Sequence, residues 1–321
     1  MKSDYINILL TLAIGLLAAC SSNDDELTRA DEDKRVPLEI VAGIDVQAKG
    51  VTRAVETAWE AGDDIGVTVT VHNSSTPFPD KVRGENLPYT FNDGTNYETY
   101  GNTYRLFSPK STKIYLSSTK VDIYGYYPYK ESVSLVATDP MYFIPIDVSI
   151  QNPQKAIDFM RASKGNISND NTSIELLFQH RLVKLVFNLR QGDGLLEDEL
   201  KDATSLTMKI GGQPTVATYN IFSDAFVITA GKLDIVPVKA PSAPTGYVRT
   251  FEAIVLPNGA NNPAEDRTVT VKFYRNPDDE ITNTFIIPAS TYFNKGYKYT
   301  YNVTVNATSI VVDDEIYTEQ L

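Results

Sequence analysis

The chain has one cysteine, one tryptophan, four methionines and two histidines in 321 residues. A single cysteine rules out an intramolecular disulfide, a thiol–imidazole catalytic pair and a cysteine-rich zinc site. The two histidines, His72 and His180, lie far apart, and His180 sits inside an apolar run, where it reads as a packed strand residue. Basic residues are also in the minority. Lys and Arg number 29 against 41 Asp and Glu, a net charge of −12, which argues against nucleic acid as a partner because phosphate binding requires a basic surface. Long apolar runs are missing except at the start. Glycine-rich phosphate loops are missing too: Gly211-Gly212 and Asn258–Asn262 are turn material with no helix pattern behind them. The acidic pairs Asp63-Asp64, Asp278-Asp279 and Asp313-Asp314 lack the ligand spacing of a calcium loop, and no two carboxylates stand out as a glycosidase pair. No catalytic constellation, cofactor motif or metal motif emerges, and the expectation is a non-enzyme.

The ends are distinctive. Ile6 to Ala19 is apolar apart from Asn7 and Thr11, too short to span a bilayer comfortably, and ends Leu17-Ala18-Ala19-Cys20. This looks like a lipobox, so residues 1–19 read as a lipoprotein signal peptide and Cys20 as the lipidated residue. A lipid there would anchor the chain to a membrane without spanning it, at about 0.8 kcal/mol per buried methylene. Residues 20–35 are polar and charged, and read as a disordered tether. Their acidic run is either a plain solvated linker or a counterpart of the surface-export signal of Bacteroidetes lipoproteins, which would put the protein on the outer face of the outer membrane.

The remainder is β-rich in character, with nineteen tyrosines and thirteen phenylalanines. Leu38, Ile40, Ala42, Ile44 and Val46 form one side of an alternating strand, followed by a polar link carrying Arg53. Such a strand either packs permanently or is cut loose. Ile65–Val71 and Val121–Tyr127 read as strands, Asn92-Asp93-Gly94 as a turn, 161–173 as a polar loop, and 194–203 as one short helix. Glu175–Leu189 opens a strong segment that is either bulged or buried on both faces. Further strands are expected at 204–210, 218–222, 248–256, 268–274 and 282–287. The cleanest alternation is the last, with Tyr299, Tyr301, Val303 and Val305 on one face, followed by Ile310 and Val312. The expected architecture is all-β, with a boundary near 175 dividing 36–174 from 175–321.

Several pieces in order resemble the fimbrillin family (FimA/Mfa-like) of type V pilus subunits of Bacteroidales. They are Leu17–Cys20, Thr52-Arg53-Ala54, Trp59–Val67, Val121–Tyr129, Asp158–Ala162, Phe178–Leu185, Ala253–Pro257 and Gly296–Val305. The resemblance implies two tandem transthyretin-like β-sandwich domains. It also implies export as a lipoprotein, cleavage after an arginine by a trypsin-like protease, and polymerisation by donor-strand exchange with other pilus subunits, contributing to adhesion. On that scheme Arg53 is the cleavage position, and Leu38, Ile40, Ile44 and Val46 belong to the removable strand. Residues 297–316 are the donor region, with Tyr299, Tyr301, Val303, Val305, Ile310 and Val312 as its apolar face. The competing expectation is an uncleaved surface lipoprotein that holds a glycan or host ligand through Tyr124, Tyr126, Tyr127 and Tyr129.

Overall fold

The computed structural model describes residues 34–45, 58–73, 82–99, 102–133, 143–171, 173–196, 199–200, 205–258, 265–276 and 278–321. The expected signal peptide, Cys20 and most of the tether lie outside them, as do Val46, Arg53 and half of the expected 194–203 helix. Among the described residues no helix is long and apolar enough to cross a membrane.

The protein is all-β. In its first half, β1 (Val36–Pro37) pairs with β6 (Tyr115–Leu116) beside a closed ring of seven strands. The ring consists of β2 (Ile40–Ile44), β3 (Asp64–Val71), β4 (Val82–Thr99), β5 (Asn102–Pro109), β7 (Val121–Tyr127), β9 (Met160–Ile167) and β10 (Ile174–His180). Its order is β10-β2-β5-β4-β3-β7-β9, with β9 and β10 completing the circle. The ladder thus closes on itself through β2, where the sandwich expectation leaves sheet edges open. Alternation explains the core: Ile40, Ala42, Ile44, Ile65, Val67, Val69, Val121, Ile123, Ile174, Leu176 and Phe178 point inward and share one cluster.

Two local expectations are corrected. Residues 161–167 are not loop. They form β9, which pairs along β7 from Val121↔Ile167 to Tyr127↔Met160, and Lys164–Asn166 stay exposed on its outer side. Asn92-Asp93-Gly94 does not reverse the chain. β4 runs straight through it, and the irregularity is absorbed as a register shift against β5 between Phe91 and Asn96.

The second half builds a six-stranded sheet from β15 (Val238–Lys239), β16 (Arg249–Val255), β11 (Val183–Gln191), β19 (Tyr297–Val305), β20 (Ile310–Val312) and β21 (Tyr317–Gln320). Two three-stranded sheets share its core. One is β12 (Thr207–Gly211), β17 (Arg267–Asn276) and β18 (Asp279–Ile287); the other is β14 (Ala225–Ala230), β13 (Val216–Asn220) and β8 (Phe143–Asp147). β11 is buried on both faces from Val183 to Leu189 because it is flanked by β16 and β19 and covered on each side.

Ile174, Leu176 and Phe178, just past the expected boundary, belong to the first core, and Leu182 onwards to the second. Sequence order does not fully separate the two, since Ile144, Ile146, Val148 and Phe159 pack in the second core.

Candidate functional site

β2, five residues long, is the shortest strand of the ring. It runs parallel to β10, from Ile174↔Ile40 to Phe178↔Ile44, and antiparallel to β5, from Ile40↔Phe107 to Gly43↔Tyr104. Its ends are tied by the Leu38 amide donating to Ile114 O (2.8 Å), the Ile174 amide to Glu39 O (3.0 Å) and the Asp45 amide to Phe178 O (2.8 Å). Gln179 Nε2 donates to the buried Asp45 carboxylate at 2.9 Å. Leu38, Ile40 and Ile44 are all buried, as the alternation predicted, and Val41 is buried on the opposite face. Gly43 lies close against β5: a Cβ there would lie 3.1 Å from the Tyr104 ring and 3.2 Å from Thr103 O.

Behind β2 sits Trp59, whose indole N–H donates to Ala42 O at 2.9 Å. Its ring meets Phe107, Tyr127 and Phe178 edge to face at 5.1, 5.3 and 5.2 Å. Three aromatic partners, on β5, β7 and β10, hold the indole ring, while its only described hydrogen bond goes to β2. Nothing in the sequence pairs Trp59 with Ala42, so this contact was not anticipated. The Trp59–Val67 motif was the only pointer to it.

The C-terminal residues divide into two groups. Tyr299, Tyr301, Val303 and Val305 are buried in the second core on β19, which pairs with β11 over eight positions. Tyr301 stacks on Phe187 at 5.3 Å, and Tyr299 packs on Phe293 at 4.9 Å. Donating these four would unpair β19 from β11. Ile310 and Val312 lie on β20, half-buried at the sheet edge, and Val311, Ile316 and Tyr317 beside them are exposed. This outer strap is held by Arg190 Nη2–Asp313 Oδ1 (2.5 Å), a Lys298–Glu319 ion pair, and the Leu321 amide on Gly296 O (2.8 Å).

The tyrosines of the glycan-binding expectation are not a display surface, because their strand faces a core on both sides. Tyr126 and Tyr127 are buried, Tyr124 packs edge to face on Phe222 at 4.7 Å, and Tyr129 is half-buried. His72 pairs with Asp122 at 2.6 Å and His180 with Asp158 at 2.9 Å, in separate places. Among the described residues no three His, Cys, Asp or Glu side chains gather as a metal site.

A profile of fimbrillin-like proteins matches residues 52–317, beginning after β2. A candidate fimbrium subunit, Fim1C, of Bacteroides uniformis is 31% identical over 320 residues, covering 96% of this chain and 93% of that protein. The crystal structure of a candidate cell adhesion protein from Bacteroides uniformis superposes with a TM-score of 0.66 at 26% identity, over 90% of this chain and 99% of that one. One from Bacteroides ovatus, at 21% identity, shares the fold with a TM-score of 0.63 over 89% and 99%. With the profile spanning most of the sequence and a relative aligned along nearly all of it, the chain belongs to the fimbrillin-like family.

Proposed function

We propose that this protein is a structural subunit of a surface fimbria. It is exported as a lipoprotein through Cys20, cut after Arg53 by an arginine-specific protease, and polymerised by donor-strand exchange with other pilus subunits. The observation that carries the reading is the position of β2, a short, wholly buried strand that completes an otherwise self-sufficient ring. Taking it out leaves six strands in unbroken order, β5-β4-β3-β7-β9-β10, with two facing edges and an apolar trough between them. Leu38, Ile40, Val41 and Ile44 contribute about 6–12 kcal/mol of gross burial at about 1.5–3 kcal/mol each. That is comparable to the whole stability of a typical domain, so the trough does not stay empty. A strand from a second subunit restores both ladders and the apolar contacts, and a head-to-tail contact that does not close grows into a filament.

The donor is the outer strap, residues 306–321. It is the part of the C-terminal region that leaves β19 paired with β11 when it detaches. The packed state of Tyr124, Tyr126, Tyr127 and Tyr129 removes the support for a permanent glycan-binding role.

The test is limited trypsin treatment of the protein lacking residues 1–20, followed by mass, size and tryptophan emission together. The single tryptophan is a built-in reporter, since Trp59 loses its Ala42 acceptor when β2 leaves. Cleavage at Arg53, release of the strand, an emission change and growth of ladders are expected, with Arg53→Ala blocking all four. A stable monomer with unchanged emission after complete cleavage at Arg53 would overturn the reading.

A further inference from the structure

The core-facing side chains of β2 are apolar, but the residue directly behind the strand is not. Asp45 follows Ile44, and alternation turns it away from the ring's core. It is nevertheless only 5% exposed, because its carboxylate accepts from Gln179 Nε2 at 2.9 Å. Gln179 belongs to β10, which pairs with β2 as far as Phe178↔Ile44, so the two polar residues sit side by side at the end of that ladder.

A glutamine amide has a donor end and an acceptor end, and which of them faces β2 is decided outside β2. Arg181 Nη2 lies 3.1 Å from Gln179 Oε1. A guanidinium only donates, so the end it meets is the oxygen, and Nε2 is turned towards the strand. Arg181 is itself fixed. It is 8% exposed, and it donates from Nε to Asp224 Oδ1 at 2.8 Å and from Nη1 to His180 O at 3.3 Å. Asp224 is gripped in turn by Lys295 Nζ at 2.7 Å and by the Tyr219 hydroxyl. All of these residues stay behind when β2 leaves. The seat therefore keeps an N–H aimed at the place of Asp45. An apolar side chain there would leave the half-buried N–H without an acceptor, and a lysine would set a cation against a donor.

We infer that Gln179, aimed by Arg181, is a specificity-determining residue of the β2 seat: it selects an incoming strand that carries a carboxylate or amide oxygen in the place of Asp45. The inference rests on the strand-exchange reading above. Gln179 sets register as well as identity. A strand that slides by two residues keeps its faces, so alternation alone does not stop it. The same slide takes the acceptor away from Gln179. The strap proposed as donor carries acceptors of this kind in Asp313, Asp314 and Glu315, directly behind apolar Val312.

The experiment adds labelled synthetic peptides of residues 36–48 to the chain of residues 21–321, after verified cleavage at Arg53 and removal of the protease, and measures uptake of each. Four peptides compete: the native one and those with Asp45→Asn, Asp45→Leu or Asp45→Lys. The native and Asp45→Asn peptides both offer an oxygen and are expected to enter equally well. The Asp45→Leu and Asp45→Lys peptides are expected to enter about tenfold less. A second protein carries Gln179→Glu together with Asp45→Asn. In this isosteric swap the new carboxylate still accepts from Arg181 and now also accepts from the new amide, and an uncleaved melting temperature near the native one shows that it folds. Its ranking is expected to reverse, with the Asp45→Asn and Asp45→Lys peptides entering and the native one lagging about tenfold. Gln179→Leu, which leaves Arg181 with Asp224 and His180, is expected to lose the preference for the native peptide over Asp45→Leu. Equal uptake of all four peptides by the native protein, or one ranking shared by all three proteins, would overturn the selective role and leave strand exchange standing. No uptake of any peptide after verified cleavage would remove strand exchange itself, and this inference with it.

Discussion

Single residues set tolerances that composition does not show. Gly66, in β3, faces the Tyr126 ring so closely that an added Cβ would lie 2.2 Å from Tyr126 Cε1 and 2.9 Å from Asn86 Oδ1. Tyr126 has no freedom to retreat. It is buried in the second core, donates its hydroxyl to Asn86 Oδ1 at 2.7 Å, and stacks with Phe159 at 6.1 Å. Gly66→Ala, harmless in most strands, is expected here to cost about 2–4 kcal/mol, the range of a severe core overpacking, measured by urea denaturation. The glycine is plainly visible in the sequence. Its reason is not, because Tyr126 is sixty residues away and only the β3–β7 ladder brings it alongside.

At the level of elements, the alternation of β2 announced a buried face but not its two neighbours. Parallel pairing with β10 joins residues more than 130 positions apart, and no periodicity in either segment encodes the partner. β9 was missed for a related reason: its ladder with β7 is made by backbone groups, while Lys164, Gly165 and Asn166 are exposed and polar. β2 also carries the sharpest prediction at this scale. Ile40 is fully buried between β5 and β10, so Ile40→Ala removes about 2–5 kcal/mol of packing from the resident strand. After cleavage at Arg53 the weakened strand is expected to leave several-fold faster than the native one, read as the rate of Trp59 emission change. An unchanged rate would mean that departure is limited by something other than the seat.

Across the whole molecule the two cores are joined by polar ties. Arg161 of β9 donates to Ile221 O at 2.7 Å, and Lys155 pairs with Asp63 at 2.9 Å. Asp224 gathers Arg181 (2.8 Å), which lies between β10 and β11, together with Lys295 (2.7 Å) and the Tyr219 hydroxyl. Burial alone would push the Asp224 carboxyl up, but Lys295, Tyr219 and Arg181 together hold it below the usual carboxylate range. A folded value below the unfolded one means that the carboxylate stabilises the fold above the unfolded value. That contribution is lost as pH falls through the depressed folded value. Asp224→Asn is expected to cost about 1–3 kcal/mol near neutral pH, as for a broken charged network, and to shrink the difference from the native protein as pH drops towards 3, followed by melting temperature against pH.

At this same scale the division of labour between sequence and structure is clear. The sequence by itself determined the all-β class, the family and the amphipathic first strand, because these follow from composition, alternation and short motifs. Tertiary structure alone decided that the first strand completes a ring and that Tyr299, Tyr301, Val303 and Val305 are core rather than spare. Two strands with equally clean alternation differ in surroundings: one lies between β11 and its edge partners, while the other fills the last place in a ring. Alternation reports which side of a strand is buried; the number of ladders lost on removal is a property of its neighbours.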